Sequence, residues 1–257
     1  LVTSKTKADR DIFFDHVKKL NLRNSIFIDN TASEFISEEY VRYLASNIGV
    51  VTCNKIACAG SFKNYLDLKK ISRRYNTPFL FETNVGAGLP VIDTLNNLIA
   101  SGDEIHKIQA ILSGSLNYIF NKFNSKTTFK KVVQSAQNEG FTEPDPKIDL
   151  SGVDVARKIL ILARESGFKL ELKDIVNRNF LPLEVLDSLS NEEFYNAIDK
   201  NEVHFQNILK NAEEKGARLK YVAQLEQGKA SVGLQEIESS HDFYNLEGSD
   251  NIILFYT

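Results

Sequence analysis

The sequence predicts an α/β protein, with parallel α/β units in the first part and an α+β region after them. Three observations carry this. Short apolar stretches alternate with amphipathic ones over residues 11–90. A stiff acidic stretch, Gly140 to Lys158, runs directly into a long helical pattern. Two apolar runs, Leu219–Leu225 and Ala230–Ile237, flank Glu226-Gln227-Gly228-Lys229, as the arms of a hairpin do.

Taken in order, Asp11 to Leu20 carries Ile12, Phe13, Phe14, Val17 and Leu20 at helical spacing. Ser25–Asp29 reads as a short buried strand ending in Asn30-Thr31-Ala32-Ser33. Ser37 or the acids after it open a helix through Leu44. Gly49–Thr52 is a second strand, ending in Cys53-Asn54-Lys55, and Phe62–Tyr75 a helix. Pro78–Glu82 is a third strand, ending in Thr83-Asn84-Val85-Gly86-Ala87-Gly88-Leu89-Pro90. In parallel sheets ligands bind at the C-terminal strand ends, and all three ends here are polar or glycine-rich. After Pro90 the pattern changes. Helices are expected over 91–101, 129–139, 192–198 and 201–215, and strands over 105–112 and 252–256. A turn into a helix begins at Gly114, and residues 170–180 read as a linker with room for a short strand.

Composition sets outer bounds. A hydrophobic fraction of 42%, a charged fraction of 25% and a net charge of −3 are those of an ordinary globular protein. Nothing in that charge balance suggests a nucleic-acid surface, and no apolar run reaches membrane-spanning length. Two cysteines, Cys53 and Cys58, make neither a disulfide framework nor a zinc site, and a reducing cytoplasm suits them. A chain that opens on Leu1 and has no Met reads as part of a longer protein.

The candidate chemistry centres on 140–158. Pro144 and Pro146 hold Glu143 and Asp145 on stiff backbone. Asp149 or Ser151 then caps a helix running to Gly167. Asp154 and Lys158 stand four apart and share one face. A loop acid, a helical acid and a lysine can converge on one small polar substrate, though spacing alone favours reading them as a surface ion pair under a proline-rich turn. Gly86-Ala87-Gly88 lacks the third glycine of a dinucleotide fingerprint, because Val91 stands there. It reads as a tight turn, or as a place where carbonyls approach a ligand or cation. Lys55 brings an ammonium to a strand end. Ser113-Gly114-Ser115 reads as a helix cap. The four histidines are scattered, and no Ser-His-Asp arrangement stands out.

Thr-Asn-Val-Gly-Ala-Gly-Leu-Pro at 83–90, Ile-Leu-Ser-Gly-Ser-Leu-Asn-Tyr-Ile-Phe at 111–120 and the stretch at 140–158 together resemble homoserine dehydrogenase. The likeness is closest to the dehydrogenase half of bifunctional aspartokinase/homoserine dehydrogenases, and it covers nearly the whole chain. It implies a partial Rossmann-like parallel sheet over 1–90 and an α+β substrate and dimerisation domain over 91–257. It also implies an NAD- or NADP-dependent enzyme interconverting L-homoserine and L-aspartate 4-semialdehyde, on the route to threonine and methionine. Lys158 resembles the catalytic lysine, with Lys55 beside the nicotinamide and substrate. Glu143, Asp149 and Asp154 match substrate-binding acids. Asn30, Thr31 and Ala32, with Lys55, match the cofactor-facing strand ends. Glu82, Val85, Ala87 and Leu89 match a monovalent-cation site, of sodium type. A homodimer or higher homo-oligomer, fused to an aspartate kinase in the full-length chain, is the expected assembly.

Two departures bear on this expectation. The family's opening strand and glycine-rich loop are not found before Asp11, and Cys53-Asn54-Lys55-Ile56 stands where members often carry Pro-Asn-Lys-Lys. The chain by itself is therefore expected to bind NAD(P) weakly or not at all. A structural or dimerising module without turnover is the alternative, and a related reductase acting on another semialdehyde or imine is a third.

Overall fold

The structure, a computed structural model, describes residues 7–257. The chain divides into two compact units, the first ending at Asn84 and the second running from Val85 to Thr257.

The first unit holds three parallel strands, β1 (Ile26–Asp29), β2 (Gly49–Thr52) and β3 (Phe79–Leu80), in the order β1-β2-β3. Ile26 pairs with Gly49 and Asp29 with Thr52, so the first two strands end level. Helices Arg10–Leu20 and Phe62–Tyr75 form where the apolar spacing predicts them. Asp9 caps the first, accepting the Asp11 and Ile12 N–H groups, and Ser61 caps the second. The single helix expected from Ser37 to Leu44 is two short ones, Glu34–Glu38 and Tyr40–Leu44. Ser33 caps the first of these, and Ser37 lies inside it with its hydroxyl on the Glu34 carbonyl. The core is aromatic. Phe27 stacks on Tyr43 at 4.1 Å, Phe14 meets Tyr43 edge-on at 5.1 Å, and Tyr40 packs against Phe79. β1 is not the fully buried strand its composition predicts: Ile26 and Ile28 are 57% and 62% exposed. Only the face of Phe27 and Asp29 is covered among the described residues, and side chains alternate across a strand.

The second unit is a five-stranded mixed sheet in the order β5-β7-β6-β4-β8: β4 is Lys107–Ile111, β5 Val176–Arg178, β6 Arg218–Glu226, β7 Lys229–Ile237 and β8 Ile252–Tyr256. β4 pairs antiparallel with both β6 and β8, while β5 runs parallel to β7. The β6–β7 hairpin turns at Gln227 and Gly228, both at positive φ, as a two-residue turn between twisted strands requires. Around the sheet lie the helices Val91–Ala100, Gly114–Lys122, Phe129–Asn138, Pro146–Leu150, Val153–Glu165, Leu183–Leu186, Asn191–Lys200 and Glu202–Glu214. Phe129 is the centre of a phenylalanine cluster, stacked on Phe205 at 4.2 Å and edge-on to Phe123 and Phe180.

The stretch at 140–158 differs from its sequence reading in one respect. A short helix, Pro146–Leu150, interrupts it, capped by Asp145, whose carboxylate accepts the Lys147 N–H. Proline suits that first helical position because its missing N–H would have no partner there. Asp149 is thus inside a helix rather than capping one. The long helix starts at Val153 and ends at Glu165, after Gly152 in the left-handed conformation. Ser151 supports the start through its hydroxyl, which accepts the Val153 N–H at 3.3 Å.

Candidate active site

In the second unit the end of β4, the N-terminus of helix Gly114–Lys122 and the 143–158 segment meet. Lys158 lies one turn into the helix from Asp154, and the two make an ion pair at 2.9 Å. The lysine Nζ also donates to the Leu112 carbonyl at 2.7 Å. The Lys158 side chain is only 17% exposed, against 39% for Asp154. The pair is therefore a half-buried one, not the solvated surface pair that spacing alone allows, and two of the three ammonium N–H groups are committed. Among the described residues the third has no partner.

Asp149 sits beside the same β4–helix junction. Its carboxylate accepts the Ser115 hydroxyl at 2.9 Å and the Glu143 N–H at 2.8 Å. One acid thus ties the loop carrying Glu143 to the helix that follows Leu112. The Glu143 side chain is exposed. Its loop is anchored at the next residue, where the Pro144 carbonyl accepts the Gln137 and Asn191 amides at 2.9 and 2.8 Å. Tyr195 in turn holds Gln137 through a 2.7 Å bond. Lys147 donates to the Ser188 carbonyl. Between the Asp149 helix and the Lys158 helix, Gly152 lies against Tyr221, whose hydroxyl donates to Asn177 at 3.1 Å. Asn177 and Asn179 both donate to the Ser151 carbonyl. Burial pushes the Tyr221 phenol far above its ordinary range, so the hydroxyl remains a hydrogen-bond donor.

The first unit builds its strand ends around a buried carboxylate. Asp29, 2% exposed, accepts the Thr31 N–H at 2.8 Å, the Tyr40 hydroxyl at 2.5 Å and the Asn54 amide at 3.1 Å. Burial by itself raises its pKa, but the bonds from Tyr40, Thr31 and Asn54 outweigh that and hold it below the ordinary carboxylate value. Burial first, then the bond to Asp29, pushes the Tyr40 phenol far upward. This network shapes the exposed turn Asn30-Thr31-Ala32 after β1, and Asn54 sets the start of the turn carrying half-exposed Lys55 after β2. Cys53 Sγ faces Asn30 Oδ1 at 3.8 Å. Glu82 lies in a 3-10 turn, Glu82–Asn84, at the end of this unit.

Val85, Ala87 and Leu89 open the second unit. Gly86 and Ala87 both have positive φ, +81° and +53°. Gly86 also has no room for a side chain, since a Cβ there would overlap Val91 Cγ2. The Gly86 and Leu89 carbonyls accept the Leu89 and Val91 N–H groups, so the carbonyls of Val85 and Ala87 stand outside those turn bonds. Among the described residues no three His, Cys, Asp or Glu side chains group as a metal site, and no helix is long and apolar enough to cross a membrane.

Sequence reading missed the Leu112 carbonyl, Ser115 as the partner of Asp149, the anchoring of the Pro144 carbonyl by Gln137 and Asn191, and the Asp29–Tyr40–Asn54 network. Only Ser113-Gly114-Ser115 carried a signal, and it was that of a cap. Ser113 is that cap, accepting the Leu116 N–H at 3.2 Å.

A parallel α/β unit followed by a unit built on a mixed sheet makes this a Rossmann-like α/β protein. A solved structure of the same kind is a hyperthermophilic archaeal homoserine dehydrogenase in complex with NADPH, with a TM-score of 0.67 and 25% identity, over 90% of this chain and 61% of that one. The homoserine dehydrogenase family model matches residues 90–257, and the chain belongs to that family. It is 42% identical over 255 residues to the bifunctional aspartokinase/homoserine dehydrogenase 2 of Arabidopsis thaliana chloroplasts, covering 98% of this chain and 28% of that protein. It is 39% identical over 241 residues to the homoserine dehydrogenase of Schizosaccharomyces pombe, covering 91% of this chain and 64% of that protein. The chain thus spans under a third of the bifunctional relative's length.

Proposed function

We propose that the chain carries the catalytic core of an NAD(P)-dependent homoserine dehydrogenase, which interconverts L-homoserine and L-aspartate 4-semialdehyde in the synthesis of threonine and methionine. The observation that supports this most is the Lys158 ammonium, half-buried between Asp154 and the Leu112 carbonyl with one N–H uncommitted. In the reducing direction Lys158 gives a proton to the aldehyde oxygen as that oxygen becomes a hydroxyl. In the oxidising direction it takes the hydroxyl proton back. Glu143, Asp149 and Asp154 supply carboxylates for the substrate ammonium.

When bound, the nicotinamide cofactor accepts or donates the hydride. The exposed amide and hydroxyl of Asn30 and Thr31, the Ala32 backbone and the Lys55 ammonium suit the oxygen-rich groups of such a nucleotide. Within the second unit the backbone carbonyls of Val85, Ala87 and Leu89 are oxygen donors, the kind a hard monovalent cation such as sodium takes. Residues up to 90 serve the cofactor and 91–257 the substrate and the dimer. A soluble cytoplasmic homo-oligomer, joined to an aspartate kinase as in the bifunctional relatives, completes the reading.

The test is Lys158→Ala in the full-length protein, with NADPH oxidation followed on aspartate semialdehyde. General acid–base catalysis contributes roughly 10²–10⁴-fold, so turnover is expected to fall by that amount. Unchanged turnover would remove Lys158 from its role. A wild-type protein with no preference for aspartate semialdehyde would remove the proposed reaction itself.

A further inference from the structure

Lys220, the third residue of β6, is fully buried, yet no carboxylate touches it among the described residues. Its ammonium donates to Asn117 Oδ1 at 3.0 Å, to Asn121 Oδ1 at 2.6 Å and to the Leu246 carbonyl. All three N–H groups are spent on neutral oxygens. The two asparagines stand four apart on helix Gly114–Lys122, and they also reach the segment after β7. Asn121 donates to the Leu246 and Gly248 carbonyls at 3.2 and 3.0 Å, and Asn117 donates to the Asp250 carbonyl at 3.0 Å. The same segment reaches the start of the helix, since a Cβ on Gly114 would lie 3.0 Å from the Ser249 carbonyl. Phe243 inserts into the core beside it, with Val222 and Ile111. Lys220 therefore joins three elements: β6, the helix and the 243–251 segment.

That helix is also the one that serves the candidate active site. Leu112, two residues before its start, holds Lys158, and Ser115 in its first turn holds Asp149. The geometry points to Lys220 as a positioning residue for the reaction: with Asn117 and Asn121 it locks the 243–251 segment onto helix Gly114–Lys122, and so fixes the Leu112 carbonyl and Ser115 that orient Lys158 and Asp149. This rests on the reading of that site as the catalytic one. Lys220 itself touches no substrate.

The charges around the clasp fit an element held under electrostatic load. Burial, followed by Arg218 two residues along β6, lowers the Lys220 pKa to about 8, while Glu247 on the 243–251 segment raises it. Helix Gly114–Lys122 presents only neutral amides to it. A carboxylate placed at Asn121 would relieve the ammonium, whereas an apolar side chain at Lys220 would leave three buried oxygens without their donor.

The experiment uses the full-length protein and three forms: wild type, Lys220→Met and Asn121→Asp. Hydrogen exchange is followed at 112–116 and 243–251, with steady-state kinetics on homoserine. Lys220→Met is expected to lower amide protection at least about ten-fold in both segments together. It should also lower kcat at least about ten-fold with KM changed less than about three-fold, because Asp149 keeps its second tie to the Glu143 N–H. Asn121→Asp keeps an acceptor for Lys220 but loses the two amide donations to the Leu246 and Gly248 carbonyls, so it is expected to lower protection at 112–116 and 243–251 together, at least about three-fold. If Lys220→Met loosens 243–251 but leaves 112–116 within about two-fold of wild type, the coupling is refuted and Lys220 is a local fold residue. If Lys220→Met does not fold, Asn121→Asp still decides, since protection at 112–116 within about two-fold of wild type in that variant refutes the clasp. A wild-type protein inactive on homoserine would count against the proposed reaction, while the exchange data would still judge the clasp.

Discussion

Gly152→Ala is the substitution whose consequence the geometry defines most sharply. Gly152 sits at φ +73° between the helix that carries Asp149 and the helix that carries Asp154 and Lys158. A Cβ there would overlap the Tyr221 hydroxyl and lie 2.7 Å from its ring carbon Cζ. Two costs follow. Holding a residue with a Cβ in the left-handed region costs about 1–2 kcal/mol. Tyr221, 1% exposed, must also move and give up its bond to Asn177, and a buried hydroxyl left unpaired costs about 1–3 kcal/mol. The sum, roughly 2–5 kcal/mol, is a large share of the ~5–15 kcal/mol that holds a domain together. Urea unfolding followed by circular dichroism measures it. A cycle with Tyr221→Phe separates the two costs. Removing the hydroxyl takes away the closest overlap, so Gly152→Ala/Tyr221→Phe should be at least about 1 kcal/mol more stable than the sum of the single changes. A Gly152→Ala protein within about 0.5 kcal/mol of wild type, or a strictly additive cycle, would refute the argument.

Two further expectations rest on single contacts. Asp29 has a folded pKa held below its unfolded value, so the stability it contributes is present above about pH 4 and is lost as pH falls through the folded pKa. Asp29→Asn should therefore be less stable than wild type at pH 7, with the difference shrinking in unfolding curves taken from about pH 5 down to about pH 2; a difference independent of pH would count against the network. Asn191→Ala removes one of two donors to the Pro144 carbonyl. At about 0.5–1.5 kcal/mol for such a bond, KM for homoserine should rise several-fold with kcat little changed, and an unaltered KM would mean the Gln137 bond alone fixes the loop.

What was legible in the sequence was local. The spacing of Asp154 and Lys158 alone places them on one helix face, because a helix repeats every 3.6 residues, and the pair is there. Helix Phe62–Tyr75 and strands Gly49–Thr52 and Ile252–Tyr256 fall on their predicted bounds, since apolar period and flanking turn residues sit within a few positions of each other. Pro144 and Pro146 announced a stiff acidic loop. The short helix at 146–150 was hidden inside it, because five residues hold too little periodicity to register. The exposure of Ile26 and Ile28 was equally illegible: composition reports that a strand is apolar, not which of its faces is covered. What only the tertiary structure decided is what Lys158 and Asp149 lean on. Leu112 is 46 residues from Lys158, and Ser115 is 34 from Asp149. A backbone carbonyl carries no side-chain signature, so no pattern along the chain could mark it. The buried Lys220 is a further case, bonded to Asn117 at a separation of 103 residues. In sequence it is one basic residue in a strand. Its meaning comes from burial among three neutral oxygens, which exists only once the sheet, the helix and the 243–251 segment have closed on one another.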